Sequence, residues 1–595
     1  MSKDYESLGF KAGLEIHQQL EGRKLFCDCP TLIREDEPDF MVTRQLRASV
    51  GESGEVDVAA SHEQAKQKQF VYQGYQDTTC LVEVDEEPVS APNPLAVETA
   101  VMVSDMLSMK RFDKVHVMRK VVVDGSNTSG FQRTMSVSSD GIINDVRVDR
   151  LCLEEDSCKV ISRGQDRDVY NLSRLGIPLL EITTKPDIRN PDHLQEIASE
   201  IGMVLRSTGR VKRGLGTIRQ DVNISIAKGT RVEIKGVQDL DTMPLLAENE
   251  VSRQEGLVEI ANKYDSFTIT SPHNVSDAFK SATDWIQKAL SKDSQAVAGV
   301  ITEVTGLLGT ELFEDFRVGT ELSGYAKAWG FGGLIHTDED ASKYGLSSWD
   351  EVRKLAKATK KDTVVILIGD ANRAEYAINH PIKDRIQYLA QGVPSCVRKA
   401  NADATTTYLR PMPGSARMYP ETDVYPLDII NIGVEVPELL SEMIPRLAEQ
   451  YSLDEGVVSV LVKADRIDLF ESWADKLDVS LVSEVLASKQ KELRKRHDVD
   501  VDIDGVAEEL FEKLVSGDIS KSAIDDVLLM YAKKGSVDWS SFETISEDEV
   551  REVVKQVIAS DPDAPMGALM GAAMSRLKGK ADGKLVNKLL QEQLK

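Results

Sequence analysis

The residues in this sequence best suited to chemistry are acids that interrupt apolar, strand-like segments. Glu154, Glu155 and Asp156 follow a run of alternating apolar residues. In a strand, Glu154 and Asp156 would point to one face and Glu155 to the other. Burying a carboxylate without a partner is costly, so these acids require a cation or basic side chains, unless the segment is a solvated strand end.

Two further segments place similar groups at strand spacing. Residues 10–20 alternate strictly, which puts Glu15, His17 and Gln19 on one face. Glu181 lies within a short apolar run. A carboxylate and an imidazole two residues apart on a strand can bind one cation, although the polar face of an edge strand would show the same pattern.

A pair of segments further along adds charges of both signs. Residues 217–226 and 230–236 alternate like strands, with a turn at Lys228 and Gly229. Their polar faces carry Arg219, Asp221, Asn223, Arg231, Glu233 and Lys235. We therefore expect a converging site in which carboxylates hold magnesium and basic residues hold phosphate. Magnesium is favoured over zinc because the ligands are rich in oxygen, with at most one imidazole.

Two loops supply groups that suit an anion. Residues 124–134 contain two glycines and several hydroxyl side chains, among them Ser126, Thr128 and Ser129. Such a loop suits phosphates or a hydroxyl-rich substrate, and a plain hairpin turn is the alternative. It is not a P-loop, because no GxxxxGK[ST] pattern occurs in the sequence. Residues 210–216 place three positive charges, including Arg213, around glycines, as an anion site or an ordinary surface loop would.

Composition limits the class of protein. The 595 residues predict roughly four domains, and a hydrophobic fraction of 41% supports real cores. The formal net charge of −26 argues against a uniformly basic nucleic-acid binder but leaves room for local basic patches. No window resembles a transmembrane span or a signal sequence, so we expect a cytoplasmic protein without a membrane partner.

The elements that position these residues form an α+β chain whose predicted secondary structure changes along its length. Strands dominate its first part, with helices near residues 91–111 and 191–207. A nearly all-apolar strand at residues 363–369 lies in a second α+β part, and only helical patterns follow residue 437. The predicted domains are residues 1–270 completed by 408–436, then 271–407, 437–505 and 506–595.

Six cysteines in so long a chain do not form a disulfide framework. Cys27 and Cys29 could be half of a zinc site, but no second cysteine pair follows them. Reduced structural thiols are therefore the preferred interpretation.

Taken together, these segments resemble the amidase-partner subunits of the tRNA-dependent amidotransferases, the B/E-type family, over essentially the whole chain. The loop at 124–134 and the insertion after residue 270 are more similar to the archaeal E-type than to the bacterial and organellar B-type. The segments that carry the resemblance are residues 13–17, 24–29, 153–156, 176–182, 221–223 and 232–235.

The resemblance implies both a fold and an activity. The fold would be a cradle-like domain with a mainly antiparallel sheet, an inserted domain resembling the extra domain of bacterial aspartyl-tRNA synthetases, and all-helical C-terminal domains. The enzyme would phosphorylate, with ATP and Mg²⁺, the side chain of glutamate mischarged on the glutamine tRNA and replace the phosphate with ammonia. An asparaginase-like partner, the D-type protein, would release that ammonia from glutamine, in a dimer of heterodimers.

The resemblance also implies roles for the residues above. The expected catalytic residues are His17, Glu154, Glu181 and Lys235. The expected metal ligands are Glu15, His17, Glu154, Glu181 and Glu233. The expected ATP or phosphate contacts are Ser126, Thr128, Ser129, Arg213, Arg219 and Asp221. Many B-type chains bind zinc with two cysteine pairs; the second pair is missing here, so no zinc site is expected from the resemblance.

Basic clusters near the C-terminus contrast with the acidic total. They are Arg494, Lys495 and Arg496, and then Arg576, Lys578, Lys580 and Lys584. We expect them to contact tRNA phosphates, although basic helix ends also serve as caps. A non-catalytic tRNA-binding adaptor is the alternative function. The acids and histidine within residues 13–236 distinguish the two, because an adaptor does not require them.

Overall fold

The computed structural model describes residues 3–48, 50, 54, 56, 64, 68–164, 166–290, 294–412, 418–562, 564–577 and 580–594. Two compact units divide it after Pro437. The first is α+β with a large, mainly antiparallel sheet, and the second is helical. Among the described helices, none is long and apolar enough to cross a membrane.

The strands begin early and dominate the first unit. In chain order they are β1 (Lys11–Gln19), β2 (Phe40–Arg44), β3 (Gln69–Gly74), β4 (Lys110–Arg111), β5 (Lys114–Val115), β6 (Val117–Val121), β7 (Phe131–Ile143), β8 (Val146–Glu155), β9 (Lys159–Arg163), β10 (Arg167–Asn171), β11 (Pro178–Thr184), β12 (Ile218–Ser225), β13 (Val232–Val237), β14 (His273–Asn274), β15 (Ser294–Ile301), β16 (Glu311–Phe313), β17 (Phe316–Arg317), β18 (Ile335–His336), β19 (Thr363–Asp370), β20 (Cys396–Ala400), β21 (Thr406–Pro411), β22 (Met418–Pro420) and β23 (Leu427–Asp428).

Helices occur in both units. Those of the first unit are α1 (Pro94–Met106), α2 (Pro191–Ser207), α3 (Met243–Lys263), α4 (Asp284–Ala289), α5 (Val318–Ala328), α6 (Asp350–Ala356), α7 (Ala371–Ala377) and α8 (Lys383–Tyr388). Those of the second are α9 (Leu440–Tyr451), α10 (Glu455–Lys463), α11 (Ile467–Ala474), α12 (Val479–Ser483), α13 (Lys489–His497), α14 (Ala507–Ser516), α15 (Ile524–Lys534), α16 (Glu547–Ser560), α17 (Met566–Leu577) and α18 (Gly583–Gln593).

One large sheet organises the first unit. Within the described residues it runs in the order β21-β20-β13-β12-β1-β11-β8-β7-β6-β22, and β4 pairs with β7. Its pairs are antiparallel except β13 with β20. Helices α2 and α3 pack against β1 and β12. Because the strands alternate, the apolar residues Leu14 and Ile16 are fully buried while the polar residues between them line the opposite face.

The inserted part has a sheet of its own. Strands β14, β15, β19 and β18 are adjacent in that order, and a separate apolar core lies on them. A buried carboxylate joins this part to the large sheet: Glu321 on α5 lies 3.1 Å from Arg253 on α3 and 3.3 Å from Arg385 on α8, and it also pairs with Arg398 on β20. The predicted likeness to the extra domain of aspartyl-tRNA synthetases stays a prediction.

The helical unit contains two large apolar cores. The first extends from Leu461 to Phe542 and includes Val506 and Phe511. The second lies between Val550 and Leu590. The predicted boundary at residue 505 therefore falls inside the first core, and the four-domain division stays a prediction.

Candidate active site

The register of the sheet brings the acids predicted from the sequence to one face. His17 on β1 pairs with Glu181 on β11 and with Arg219 on β12. Glu15 pairs with Asp221, and Glu154 lies on β8, the next strand after β11. Residues directly opposite in neighbouring strands project to the same side of a sheet. We call this side the polar face: Glu15, His17, Gln19, Glu154, Glu181, Arg219, Asp221, Glu233 and Lys235.

A histidine and two glutamates form the centre of the polar face. Nε2 of His17 lies 3.4 Å from Oε1 of Glu15 and 3.5 Å from Oε2 of Glu181. One ligand atom from each of the three residues lies within 4.8 Å of the others. His17 Nδ1 and Glu181 Oε2 are buried without a hydrogen-bond partner among the described residues. Orphaned buried atoms of this kind fit a cation ligand set, and two carboxylates with one imidazole suit magnesium.

Lys120 on β6 is a central residue that the sequence interpretation missed. Its Nζ donates a hydrogen bond of 2.8 Å to Oε1 of Glu154 and lies 3.8 Å from Oε2 of Glu181. Glu154 is therefore held by an ammonium group rather than grouped with Glu15, His17 and Glu181. Of the five predicted metal ligands, the structure brings these last three together, and the assignment of the other two stays a prediction.

Burial and neighbouring charges shift the pKa values of the acids in this centre in opposite directions. Burial and then the neighbouring Glu181 raise the pKa of Glu15 to about 7. Burial and Glu181 also raise the pKa of Glu154. Burial opposes ionisation of Glu181 as well, but Lys120 and His17 hold its pKa well below the usual range. The basic neighbours thus favour the ionised form of Glu181, while burial favours the protonated forms of Glu15 and Glu154.

A second lysine holds the acids of β12 and β13. Nζ of Lys235 lies 2.6 Å from Oδ2 of Asp221 and 2.6 Å from Oε1 of Glu233. Burial disfavours ionisation of Asp221, but Lys235 lowers its pKa. Asp221 is thus an ion-pair partner here, and its predicted phosphate contact and the predicted metal contact of Glu233 stay predictions.

Asp156 anchors the other end of the polar face. Its Oδ2 accepts a hydrogen bond of 2.6 Å from Nε2 of Gln19, and its Oδ1 lies 3.6 Å from Nη2 of Arg219. Arg174 is also 3.6 Å from this carboxylate. Arg213, in the loop that precedes β12, is exposed. The end of the polar face near Asp156 therefore carries positively charged side chains.

The hydroxyl-rich loop directs its side chains into the protein. Ser126 donates to Asp124, Thr128 to the backbone oxygen of Glu83, and Ser129 to the backbone oxygen of Phe131. The residues from Phe131 onward belong to β7 rather than to the loop, because Phe131 pairs with Val121. The three hydroxyls stabilise the loop conformation, and their predicted contacts with ATP stay predictions.

A second group of ligand-bearing residues lies beside this loop. Cys27, Cys29, Cys80 and Glu83 place one ligand atom each within 4.8 Å of one another. This group was not predicted, because the sequence contains no second cysteine pair after Cys27 and Cys29. The available signal was Cys80 followed three residues later by Glu83, since a carboxylate can replace a thiolate as a ligand.

The basic residues assigned to tRNA lie on exposed helical surface. Arg494, Lys495 and Arg496 are exposed on α13. Arg576 and Lys584 are exposed on α17 and α18, and Lys580 lies between these helices. Lys578 is outside the described residues. These positions are compatible with phosphate contacts, which stay predictions.

Comparison with known proteins identifies the family. A family model described as the GatB/GatE catalytic domain matches residues 10–435, and one described as the GatB domain matches residues 468–594. The chain belongs to the GatB/GatE family. The E subunit of glutamyl-tRNA(Gln) amidotransferase from Methanococcus maripaludis strain S2 is 44% identical, with 94% of this chain and 92% of that protein covered.

Other GatB/GatE relatives agree along nearly the full length. The E subunits of glutamyl-tRNA(Gln) amidotransferase from Haloarcula marismortui and Methanocaldococcus jannaschii are each 42% identical, over 94% of this chain and 93% of the relative. The resemblance stated from the sequence motifs is thereby confirmed. The GatB/GatE catalytic match includes every residue of the polar face.

Proposed function

We propose that this chain is the E-type component of a tRNA-dependent amidotransferase and converts glutamate on the glutamine tRNA to glutamine. The observation that supports this most is the polar face, where one histidine, five acids and Lys235 lie on one side of a sheet, with Lys120 beside them. The names of the GatB/GatE relatives point in the same direction.

In the proposed reaction, an oxygen of the tRNA-bound glutamate carboxylate attacks the γ-phosphorus of ATP, and ADP leaves. Ammonia then attacks the acyl carbon, inorganic phosphate leaves, and the amide forms. Phosphoryl transfer of this kind depends on positioning and charge stabilisation rather than on a protein nucleophile. Magnesium would neutralise phosphate charge and orient the nucleotide when bound.

The residues of the polar face fit distinct roles in this reaction. Glu15, His17 and Glu181 would hold the magnesium, and Arg219 at the edge would contact phosphate. Glu154 is suited to accept a proton from the attacking ammonia because burial raises its pKa. Lys120 would keep the adjacent Glu181 ionised and in place.

The ammonia and the substrate would come from partners. The sequence shows no nucleophile and base motif for releasing ammonia, so we propose an asparaginase-like D-type protein as the source. The assembly would be a dimer of heterodimers in the cytoplasm. The basic residues of α13, α17 and α18 would contact Glu-tRNA(Gln).

The test separates this enzyme from a tRNA-binding adaptor. The chain, purified with its ammonia-releasing partner, is incubated with glutamate-charged glutamine tRNA, ATP, Mg²⁺ and either glutamine or ammonium chloride. The proposal predicts glutaminyl-tRNA with both nitrogen sources and ATP cleavage that requires the tRNA. A complex that binds the tRNA but forms no product with ammonium chloride would favour the adaptor.

A further inference from the structure

A buried group of charged residues, which we call the arginine cluster, lies where the inserted part meets the large sheet. Its members, each at most 3% exposed, are Glu250 and Arg253 on α3, Glu321 on α5, Arg385 on α8 and Arg398 on β20. Three arginines and two glutamates leave one positive charge without a partner. Since an unpaired buried charge is costly, the cluster needs a further anion.

Each carboxylate of the arginine cluster is already paired with arginine. Nε and Nη2 of Arg253 each donate a hydrogen bond of 2.8 Å to Glu250. Oε1 of Glu321 accepts hydrogen bonds from Arg253 at 3.1 Å, from Arg385 at 3.3 Å and from Arg398 at 3.2 Å. Its Oε2 lies 3.0 Å from Nη2 of Arg398. Burial opposes ionisation of Glu321, but the arginines, Arg398 first, hold its pKa well below the usual range.

The positive charge without a partner lies on Arg385. All three guanidinium nitrogens of Arg253 and of Arg398 donate hydrogen bonds. Arg385 donates only from Nη2, while its Nε and Nη1 are buried without a hydrogen-bond partner among the described residues. Its guanidinium carbon lies 5.7 Å from the ring centre of Tyr325, which supplies no counter-charge. A guanidinium has only donors and stays charged, so these two nitrogens need an acceptor.

The ionisable side chains next to the arginine cluster stay neutral. Burial raises the pKa of the Cys396 thiol, which lies on β20. Burial also raises the pKa of Tyr325 and of Tyr408, whose rings stack with their centres 3.7 Å apart. None of these three side chains provides a negative charge near neutral pH, so the counter-charge has to come from solution.

We propose that the arginine cluster binds one monovalent anion of the size of chloride, which accepts a hydrogen bond from Nε or Nη1 of Arg385. A single negative charge brings the sum of the cluster to zero, whereas a doubly charged ion such as phosphate would reverse its sign. Because α5 and α8 belong to the inserted part while α3 and β20 belong to the large sheet, the bound anion stabilises the joint between them. This inference does not depend on the proposed function, since anion binding can be measured without turnover.

Thermal unfolding of the full chain tests the site when sodium chloride replaces sodium gluconate at constant ionic strength. Screening of charges then stays the same, and a ligand that binds only the folded protein raises the unfolding temperature. We expect the transition of the first unit to rise by at least about 2 °C, and bromide to have the same effect. An unfolding temperature that changes with neither halide overturns the proposal.

The variant Arg385→Met tests whether the halide effect comes from the arginine cluster. It keeps an unbranched side chain and leaves two arginines with two glutamates, so its unfolding temperature should not depend on chloride. Arg147→Met removes an exposed arginine that pairs with Asp187, and as the control it should respond to chloride as the parent protein does. A response of Arg385→Met equal to that of the parent protein would place the bound halide elsewhere and overturn the proposal.

Crystals of the parent protein grown with bromide provide a test that does not require any variant to fold. Bromide scatters X-rays anomalously, so its position can be distinguished from that of water. The proposal predicts an anomalous peak within hydrogen-bond distance of Nε or Nη1 of Arg385. Water molecules at both nitrogens, with no bromide bound to the arginine cluster, would contradict it.

Discussion

Lys120 lies between the carboxylates of Glu154, which is almost fully buried, and Glu181, which is partly buried. A methionine at this position keeps the length of the side chain but leaves both acids without their cation. We expect Lys120→Met to lose activity and about 3 kcal/mol of unfolding free energy, since removal of one member of a buried pair leaves an uncompensated charge. Denaturant unfolding measures the loss of unfolding free energy.

A double variant shows whether the effect comes from this pair. Glu154→Gln in the Lys120→Met background removes the uncompensated charge, so stability should be partly restored relative to Lys120→Met alone. Additive losses in the two variants would mean that Lys120 does not interact with Glu154 in solution.

Single residues were predictable where the sequence pattern is local. Glu15 and His17 alternate with Leu14 and Ile16, so their shared face could be predicted from β1 alone. Lys120 could not be found in this way, because its role depends on the pairing of β6 with β7 and of β7 with β8. Such pairings join residues far apart in the chain, and no local pattern specifies them.

At the scale of elements, Glu421 fixes the segment that returns from the inserted part to the large sheet. Its carboxylate accepts hydrogen bonds from Arg119 at 2.5 and 2.8 Å and from Arg133 at 2.8 Å. Burial opposes ionisation, but the two arginines lower the pKa of Glu421 to about 2. The edge strand β22, which pairs with β6, is held in place by these bonds.

The depressed pKa predicts how this contribution depends on pH. The stabilisation by Glu421 is fully present above the unfolded-state pKa of about 4.3 and is lost as the pH falls towards the folded-state value of about 2. Glu421→Gln should therefore lower stability at pH 7 by about 3 kcal/mol. The difference from the parent protein should shrink as the pH is lowered below about 4.3.

Thermal unfolding of both proteins between pH 7 and pH 3 measures this difference. If the difference in unfolding temperature between Glu421→Gln and the parent protein stays constant over that range, Glu421 stabilises the protein by packing rather than by its charge.

Helices with clear end signals were also predictable. Helix α2 spans Pro191–Ser207, the residues expected from the sequence, because Asn190 caps its first turn and Pro191 begins it. In the region after residue 437, where the sequence predicts only helical patterns, α12 and α13 are joined by a π-helical turn at Glu484–Ser488. Buried packing of Val485 and Leu486 in the first helical core overrides the simple 3.6-residue period there.

The helical unit carries the basic residues assigned to tRNA, while the full chain has a net charge of −26. The two apolar cores of that unit show where it can be shortened. A truncation at Val506 would divide the first core. Removal of residues 545–595 takes away the second core with Arg576, Lys580 and Lys584 and leaves the first intact.

We expect this truncation to raise the Michaelis constant for Glu-tRNA far more than it lowers the maximal rate. The acids of the polar face lie in the other unit, with their own core. Each lost phosphate contact should also lower the log–log salt slope of tRNA binding by roughly 0.7–0.9. Kinetics and binding at two salt concentrations measure both quantities. A collapse of the maximal rate with unchanged tRNA affinity would place the tail in the active site.

In the proposed function, the polar face activates the glutamate carboxylate with ATP and magnesium. The most direct measurement is phosphate release from ATP that depends on Glu-tRNA, in the complex with the ammonia-supplying partner. Glu181→Gln is compared with the parent protein and with Asp149→Asn, a control on β8 whose partner is the surface residue Lys185.

We expect Glu181→Gln to lower this rate at least about 100-fold at saturating magnesium. Its affinity for the tRNA and its thermal stability should stay close to those of Asp149→Asn, because the proposed tRNA contacts are residues of the helical unit. Turnover by Glu181→Gln at the rate of the parent protein, at saturating magnesium, would contradict the assignment of the chemistry to this face.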